Sequence, residues 1–184
     1  MIHFRQVTKE DIPLMHLWFN EPHVQKFYSL RSWTKSEVLD KLLPTIELNK
    51  PLFGFIVLFE GIPIGYLQYC KVKDFPWPEQ EFSPKFVENA AGLDFFIGQP
   101  EWVGKGWGPK IIERFLDTQI WTNFQYCVVD PDVRNLLSIR MFEKCGFEAH
   151  RTIHTKDAMG EPVKLLLMVK SNDESQPICE SCQA

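Results

Sequence analysis

The sequence predicts an α/β chain organised around one strand–loop–helix unit at residues 92–116. Three observations carry that expectation. An apolar run of strand length, 93–97, is bounded by Gly92 and Gly98. Ile111, Ile112, Phe115 and Leu116 recur at helical spacing and form one apolar stripe. Between strand and helix, Gly104, Gly106 and Gly108 alternate with Lys105 and Trp107 and run into Pro109, a residue suited to the first turn of a helix. Glycine permits positive φ and close approach of a ligand to the backbone. The free N–H groups and dipole of a helix N-terminus attract an anion. The turn therefore reads as a pyrophosphate cradle, although taken alone it reads equally as a structural turn. The dinucleotide fingerprint does not fit, because the spacing is G-x-G-x-G and no early βαβ unit precedes it. The P-loop pattern fails as well, for want of Gly-Lys-Ser/Thr.

The other elements follow in order. Residues 2–7 alternate as a first strand. Residues 8–11 offer an N-cap with an acid in the first turn, followed by Ile12, Met15, Trp18 and Phe19 at helical spacing. The run 20–22 breaks that helix, and 21–28 reads as a short second helical piece. Thr34 and Glu37 form a capping box for a third helix, 35–48, bent at Pro44. The aromatic residues Trp18, Phe27, Tyr28 and Trp33 crowd this region. Residues 52–60 and 62–72 are β-rich and joined at Glu60-Gly61, a hairpin. Residues 74–89 read as a long irregular loop with Trp77 and the acids Asp74, Glu79, Glu81 and Glu88, of the kind that serves as a lid or binding segment. A fifth strand at 124–129 precedes a helix at 134–145, with Gly146 at C′ and Phe147 folded back on the last turn. Strands at 147–154 and 163–169 close the chain. With no repeats and no linker, 1–170 reads as a single domain, and 171–184 as a polar, disordered tail.

Composition sets broad limits. At 184 residues, 45% hydrophobic and 14% aromatic, the chain can bury a sizeable core. A formal charge of −4 argues against a nucleic-acid partner and is compatible with a cationic substrate, though many proteins carry as much. No run approaches the roughly 18 apolar residues of a membrane helix, and the start lacks a signal-peptide pattern, so a cytoplasmic protein without a membrane partner is expected. Five cysteines at irregular spacing do not form a disulfide framework. Cys179 and Cys182 make an isolated C-x-x-C in the tail, and no metal is expected.

The glycine loop resembles motif A of the GNAT superfamily of acetyl-CoA-dependent N-acyltransferases, commonly Arg/Gln-x-x-Gly-x-Gly/Ala. Gly106 and Gly108 match its glycines, and Val103 stands where Arg or Gln is usual. Downstream, Asn135-Leu-Leu-Ser-Ile-Arg-Met-Phe-Glu-Lys-Cys-Gly-Phe-Glu148 is similar to motif B, Asn-x-x-Ala/Ser-x-x-x-Tyr-Glu-Lys-x-Gly-Phe. The resemblance covers roughly residues 2–170. It implies the GNAT fold: a mixed, strongly twisted sheet of about six to seven strands, flanked by about four helices, with strands four and five splayed apart. It also implies that acetyl-CoA is the cofactor. Its pyrophosphate would lie on the amides of residues 103–108, its pantetheine arm against the main chain of Phe96 and Ile97, and Asn135 would reach it from the neighbouring helix.

A closer likeness is to aminoglycoside 6′-N-acetyltransferases, carried by residues 5–12, Trp18-Phe-Asn20, His23, 64–69, Asp74, Trp77, 92–94 and 129–131. It implies a small cationic amine as partner, held by Asp74, Trp77 and Asp130, in an enzyme that is a monomer or homodimer. Several carboxylates around one cleft suit an amino sugar. Asp130 or Asp132 also reads simply as an N-cap. Asp94, at the start of the fourth strand, is the candidate base for deprotonating the ammonium. A main-chain N–H of that strand would polarise the thioester oxygen. Phe142 stands where the family often has tyrosine and cannot donate a proton to the departing thiolate. The same frame also serves acetylation of a hydroxylysine-type siderophore precursor or of a peptide amine. A non-catalytic acyl-CoA-binding protein is the alternative from another class.

Overall fold

The computed structural model describes residues 1–172, and Cys179 and Cys182 lie outside them. The chain packs as two compact units, Met1–Tyr69 with Asp94–Ile111, and Cys70–Leu93 with the described residues from Ile112 onward.

In the first unit, β1 (Ile2–Gln6) runs antiparallel to β2 (Leu52–Phe59), in register from Ile2↔Phe59 to Gln6↔Phe55. The turn between β2 and β3 (Ile62–Lys71) has Glu60 and Gly61 at φ 50° and 83°. Two successive positive φ values match the twist of a two-residue hairpin. Three helices follow the sequence signals: α1 (Ile12–Phe19), α2 (Pro22–Val24) and α3 (Lys35–Ile46). Asp11 accepts from the Thr8 N–H at 2.8 Å and from Arg5 at 2.7 and 2.9 Å, which fixes the entry to α1. The capping box at α3 is reciprocal, with Glu37 N–H donating to Thr34 Oγ1 (3.3 Å) and Thr34 N–H to Glu37 Oε2 (2.8 Å). After α2 a π-turn at Gln25–Ser29 ends on Leu30 at φ 65°. Met15, Trp18, Phe19, Val38, Leu42, Ile56, Tyr66 and Phe96 form the buried core of this unit.

In the second unit, the start of β4 (Ala90–Ile97) runs parallel to β5 (Tyr126–Val129), from Ala90↔Tyr126 to Gly92↔Val128. The remaining strands β6 (Glu148–Lys156) and β7 (Pro162–Ser171) pair antiparallel, with an irregularity between Ala149 and Arg151. β7 pairs with β5. The core is Val72, Phe86, Ala90, Val128, Ile153, Leu167 and Val169. The strand order is β1-β2-β3-β4-β5-β7-β6, a mixed seven-stranded sheet.

Four sequence expectations are corrected. Residues 74–89 are not structureless. A 3₁₀ turn at Val72–Asp74 and a short helix, α4 (Pro84–Glu88), frame a shorter loop, and Ser83 Oγ caps α4 by accepting from Phe86 N–H at 3.2 Å. The Ser83-Pro84 pair is an N-cap followed by proline at N1, a signal the alternation of acids and aromatics masks. The glycine loop ends earlier than Pro109, because α5 (Trp107–Phe115) already includes Gly108. The helix α6 (Leu136–Lys144) is capped by Asn135, not by Asp130 or Asp132, with Asn135 Oδ1 accepting from Ser138 N–H at 3.2 Å. Finally, order extends past 170: Ser171 completes β7, and Asn172 N–H donates to the Gln125 carbonyl at 2.9 Å.

Candidate active site

The glycine loop of the first unit is pinned at both ends by aromatic rings. A 3₁₀ turn at Pro100–Trp102 precedes it, with Val103 N–H donating to the Pro100 carbonyl at 3.1 Å. Trp102 and Trp107, at either end, both pack on Phe59 with centroids at 5.1 and 4.5 Å, and on each other at 5.1 Å. Between them Gly104 and Gly106 adopt φ 74° and 78°, while, beyond the residues flanking each glycine, no described protein atom lies within 4 Å of where their Cβ atoms would be. The left-handed backbone thus serves the direction of the N–H groups rather than packing. Lys105 is exposed at the tip, and the Lys110 ammonium lies 5.0 Å from the Trp107 ring. Alternating peptide orientation before a helix N-terminus is an anion-binding geometry. Trp107, expected as a cofactor contact, also braces the loop. Gly108 lies in the first turn of α5 and is not among the positive-φ glycines.

Upstream, residues 94–97 are packed closely from both ends. A Cβ on Gly65 would lie 2.6 Å from the Phe96 carbonyl oxygen, and one on Gly98 would run into the Trp18 indole. Gly98 N–H donates to the Ile64 carbonyl at 2.9 Å. His23 Nε2 donates to the Ile97 carbonyl at 2.8 Å, so that carbonyl already has a partner. The Phe96 ring is buried against Tyr28 (4.6 Å), Tyr66 (5.7 Å) and Phe19 (6.0 Å), which leaves only its main chain for ligand contact.

Asp94 is half-buried on this strand. Its Oδ2 accepts from Gln68 Nε2 at 2.6 Å, and Gln68 Oε1 accepts from the Tyr66 hydroxyl at 3.1 Å. Burial pushes the Asp94 carboxyl above its ordinary pKa, while Gln68 and the charge of Lys41 hold it down. Burial, and then Asp94 and Tyr66, push the Tyr28 hydroxyl well up, so it stays protonated.

The second unit brings two of the predicted acceptor residues together. Trp77 Nε1 donates to Asp130 Oδ2 at 2.7 Å. The indole packs over Gly92, where a Cβ would lie 3.3 Å from Trp77 Cη2. Asp74 is exposed at the end of its 3₁₀ turn, where neighbouring Lys73 pairs with Glu88 at 2.9 Å. Glu79 and Glu81 are left-handed, at φ 56° and 52°. The Arg151 guanidinium pairs with Glu81, and His150 stacks on Phe82 at 4.6 Å. From Phe82 the rings continue to Phe86 (4.2 Å) and Tyr126 (4.4 Å). Asp132 accepts from Arg134 N–H at 2.8 Å and pairs with its guanidinium at 2.5 Å. Asn135 spends its Oδ1 on the α6 cap. Phe142 is buried against Phe147 at 5.3 Å.

Sequence reasoning missed Gln68, Tyr66, Phe59, Trp102, His23 and His150 as parts of these sites. The first two carried a legible signal, since residues 66 and 68 share one face of a strand. Among the described residues, no group of three or more His, Cys, Asp or Glu side chains is placed to hold a metal ion. No helix of the described residues is long and apolar enough to cross a membrane.

Comparison with known proteins gives a consistent result. The profile of the acetyltransferase (GNAT) domain family matches residues 7–155. Aminoglycoside N(6′)-acetyltransferase type 1 of Klebsiella pneumoniae is 29% identical over 162 residues, covering 83% of this chain and 77% of that protein. A crystal structure of an aminoglycoside acetyltransferase in complex with coenzyme A and kanamycin superposes with a TM-score of 0.77 at 25% identity, over 94% of this chain and 95% of that one. N5-hydroxyornithine acetylase of Beauveria bassiana is 26% identical over 151 residues, which cover 78% of this chain but only 26% of that longer protein.

Proposed function

The chain belongs to the acetyltransferase (GNAT) family, and from that premise we propose that it transfers the acetyl group of acetyl-CoA to the 6′-amino group of an aminoglycoside. One observation carries the cofactor side. A half-buried carboxylate, a closely packed strand end and a left-handed glycine loop opening a helix follow one another within fifteen residues, 94–108, of one compact unit. The pyrophosphate rests on the amides of Val103, Gly104, Lys105, Gly106, Trp107 and Gly108, where the α5 dipole favours negative charge. The main chain of Phe96 and Ile97 pairs with the pantetheine arm. Asn135 contributes its amide nitrogen to the cofactor.

The acceptor reading is supported by the aminoglycoside-acetylating relatives and by the acids themselves. Asp94 takes a proton from the bound ammonium so that a neutral amine attacks the thioester carbonyl. A carboxyl raised by burial is better matched to that task than an ordinary surface aspartate. Asp74 and Asp130 hold ammonium groups remote from the reacting nitrogen, and Trp77 aims Asp130 through its N–H. The departing thiolate takes its proton from water, since Phe142 has none to give. The described residues, 1–172, act as one catalytic domain, a reading supported by the single family profile running through both units. A cytoplasmic location is the reading that its use of acetyl-CoA supports.

The likeness to the hydroxyornithine acetylase favours one second reading, acetylation of an N-hydroxylated diamino acid. Release of free thiol from acetyl-CoA, measured with kanamycin, spermidine, N-hydroxylysine and a short peptide as acceptors, separates the two. Turnover confined to kanamycin and related amino sugars is the expected result. Turnover only with N-hydroxylysine replaces the acceptor, and acetyl-CoA binding without turnover on any amine removes the enzymatic reading.

A further inference from the structure

Resting on the reading of Asp94 as the base, we propose that Gln68 is the positioning residue that presents the Asp94 carboxylate to the acceptor amine, and that Tyr66 fixes the orientation of Gln68. The three side chains form one hydrogen-bonded line: Tyr66 hydroxyl to Gln68 Oε1 at 3.1 Å, Gln68 Nε2 to Asp94 Oδ2 at 2.6 Å. Its polarity follows from donor and acceptor chemistry. An ionised carboxylate only accepts, so Gln68 must turn its NH₂ toward Asp94. The Gln68 carbonyl oxygen then faces Tyr66, whose hydroxyl must donate. Tyr66 is fully buried on β3 and cannot swing away, so it enforces that amide orientation from behind.

Two consequences separate this line from ordinary packing. One carboxylate oxygen is tied to Gln68, leaving Oδ1 as the atom that takes the proton. The tie also favours the ionised form, because a hydrogen bond to a charged acceptor is stronger than one to a neutral acid. The other groups around Asp94 act in known directions. Lys41 of α3 favours ionisation, whereas Tyr28 and Tyr66 share the buried surroundings that oppose it. With Gln68 in place the base is ionised at lower pH than burial alone allows.

The test uses the full chain with acetyl-CoA and kanamycin, comparing Gln68→Met, Tyr66→Phe, Asp94→Asn and the Gln68→Met/Asp94→Asn double variant. Gln68→Met keeps the volume and removes the donor. It is expected to move the acidic limb of the pH profile upward by roughly one unit, the scale of one charge-assisted hydrogen bond, and so to lower kcat by up to about tenfold on that limb. Acetyl-CoA affinity stays the same. Tyr66→Phe shifts the limb in the same direction by less, and the double variant loses no more than Asp94→Asn alone. A direct readout is the ¹³C chemical-shift titration of the Asp94 carboxyl in wild type and Gln68→Met, which needs no turnover. An unmoved Asp94 titration, or losses that add in the double variant, overturns the proposal. If Asp94→Asn keeps wild-type kcat and pH profile, the base reading fails instead. If Asp94→Asn is slow while Gln68→Met matches wild type, only the positioning role fails.

Discussion

The stretch 94–108 and the stretch 72–83 are held in place in opposite ways. The first is built from backbone: left-handed Gly104 and Gly106, the close approaches at Gly65 and Gly98, and a helix that starts at Trp107. Its aromatic braces come from one hairpin strand and from its own two ends, through Phe59, Trp102 and Trp107. The second is tied by side chains from distant parts of the chain. Trp77 reaches Asp130, Glu81 reaches Arg151 and Phe82 reaches His150. A backbone-built site presents the same N–H groups whatever its side chains are, which suits a cofactor of constant shape. A site tied by side chains can be retuned one residue at a time, which suits an acceptor that differs between relatives. The difference predicts that substitutions in the two stretches separate cleanly in their kinetic signatures.

The largest effect is expected at Asp94. Asp94→Asn keeps the shape and removes the proposed base, and loss of a general base typically costs about 10²–10⁴ in rate. The loss should fall on kcat, with the acidic limb of the pH profile gone and acetyl-CoA affinity intact. A loss appearing chiefly in the acceptor KM would move Asp94 among the anchors and erase the contrast. The next is Gly106→Val. A left-handed φ of 78° costs an L-residue roughly 1–2 kcal/mol, more for a β-branched one, and the side chain also obstructs the approach to the amides. Acetyl-CoA Kd measured by calorimetry should rise at least about tenfold, since about 1.4 kcal/mol is a factor of ten. Gly108→Val, at a position not among the positive-φ glycines, lacks the conformational share of that penalty and should cost less. Equal effects at both would mean that obstruction, not backbone conformation, dominates.

The same contrast explains what was legible in the sequence. Hairpin turn, helix caps, glycine loop and the Gly146 C′ position at φ 81° are local, and each is specified by residues within a few positions of one another. The braces are not. Nothing near Trp77 in the sequence announces Asp130, and nothing near Phe82 announces His150. The shared face of Tyr66 and Gln68 is legible in the strand alternation, but their partner Asp94 lies 26 residues away from Gln68 and is not. The π-turn at Leu116–Ile120, past the end of α5, has no composition signal that separates it from continued α-helix. Residues 74–89 read as one loop because helix α4 spans only Pro84–Glu88, too short for a periodic pattern to register against its neighbours.

On the acceptor side the expected effects are smaller and fall on KM. Asp130→Asn and Asp74→Asn each remove one proposed charge-assisted contact to the acceptor, of a kind worth roughly 1.5–3 kcal/mol, and should raise the kanamycin KM about tenfold to a hundredfold. Both should lessen the salt dependence of kcat/KM, because fewer charges then attract the polycation. Trp77→Phe keeps a ring over Gly92 but loses the N–H that aims Asp130, so its KM should rise by less than in Asp130→Asn. In Asp130→Asn the further loss from Trp77→Phe should be slight. Additive losses would show that Trp77 contacts the acceptor independently of Asp130.

The smallest effect concerns His150, and it tests whether the two stretches respond separately to pH. His150 Nε2 is buried without a partner, and burial lowers the ring's pKa below its ordinary value of 6.5. A backbone hydrogen bond with Gln80 and the charge of Glu81 pull the other way, while Arg151 reinforces the lowering. The unfolded chain therefore binds this proton more readily than the folded one. Stability associated with neutral His150 is complete above the unfolded pKa and is lost as pH falls from there through the folded value. The loss should begin where Phe82 and Gln80 rest on the ring, in the loop before α4. Amide hydrogen exchange, corrected for intrinsic rates, should thus quicken for residues 77–82 between pH 7.5 and 5.5 and stay unchanged for 103–108. His150→Phe retains a ring to stack on Phe82 but cannot titrate, so it should abolish that change and flatten the fall of Tm below pH 6.5. If both loops loosen together in wild type, or if His150→Phe leaves the acid sensitivity of 77–82 untouched, the anchoring of that loop is not through His150. The contrast between a backbone-built and a side-chain-tied stretch would then have to rest on Trp77 and Asp130 alone.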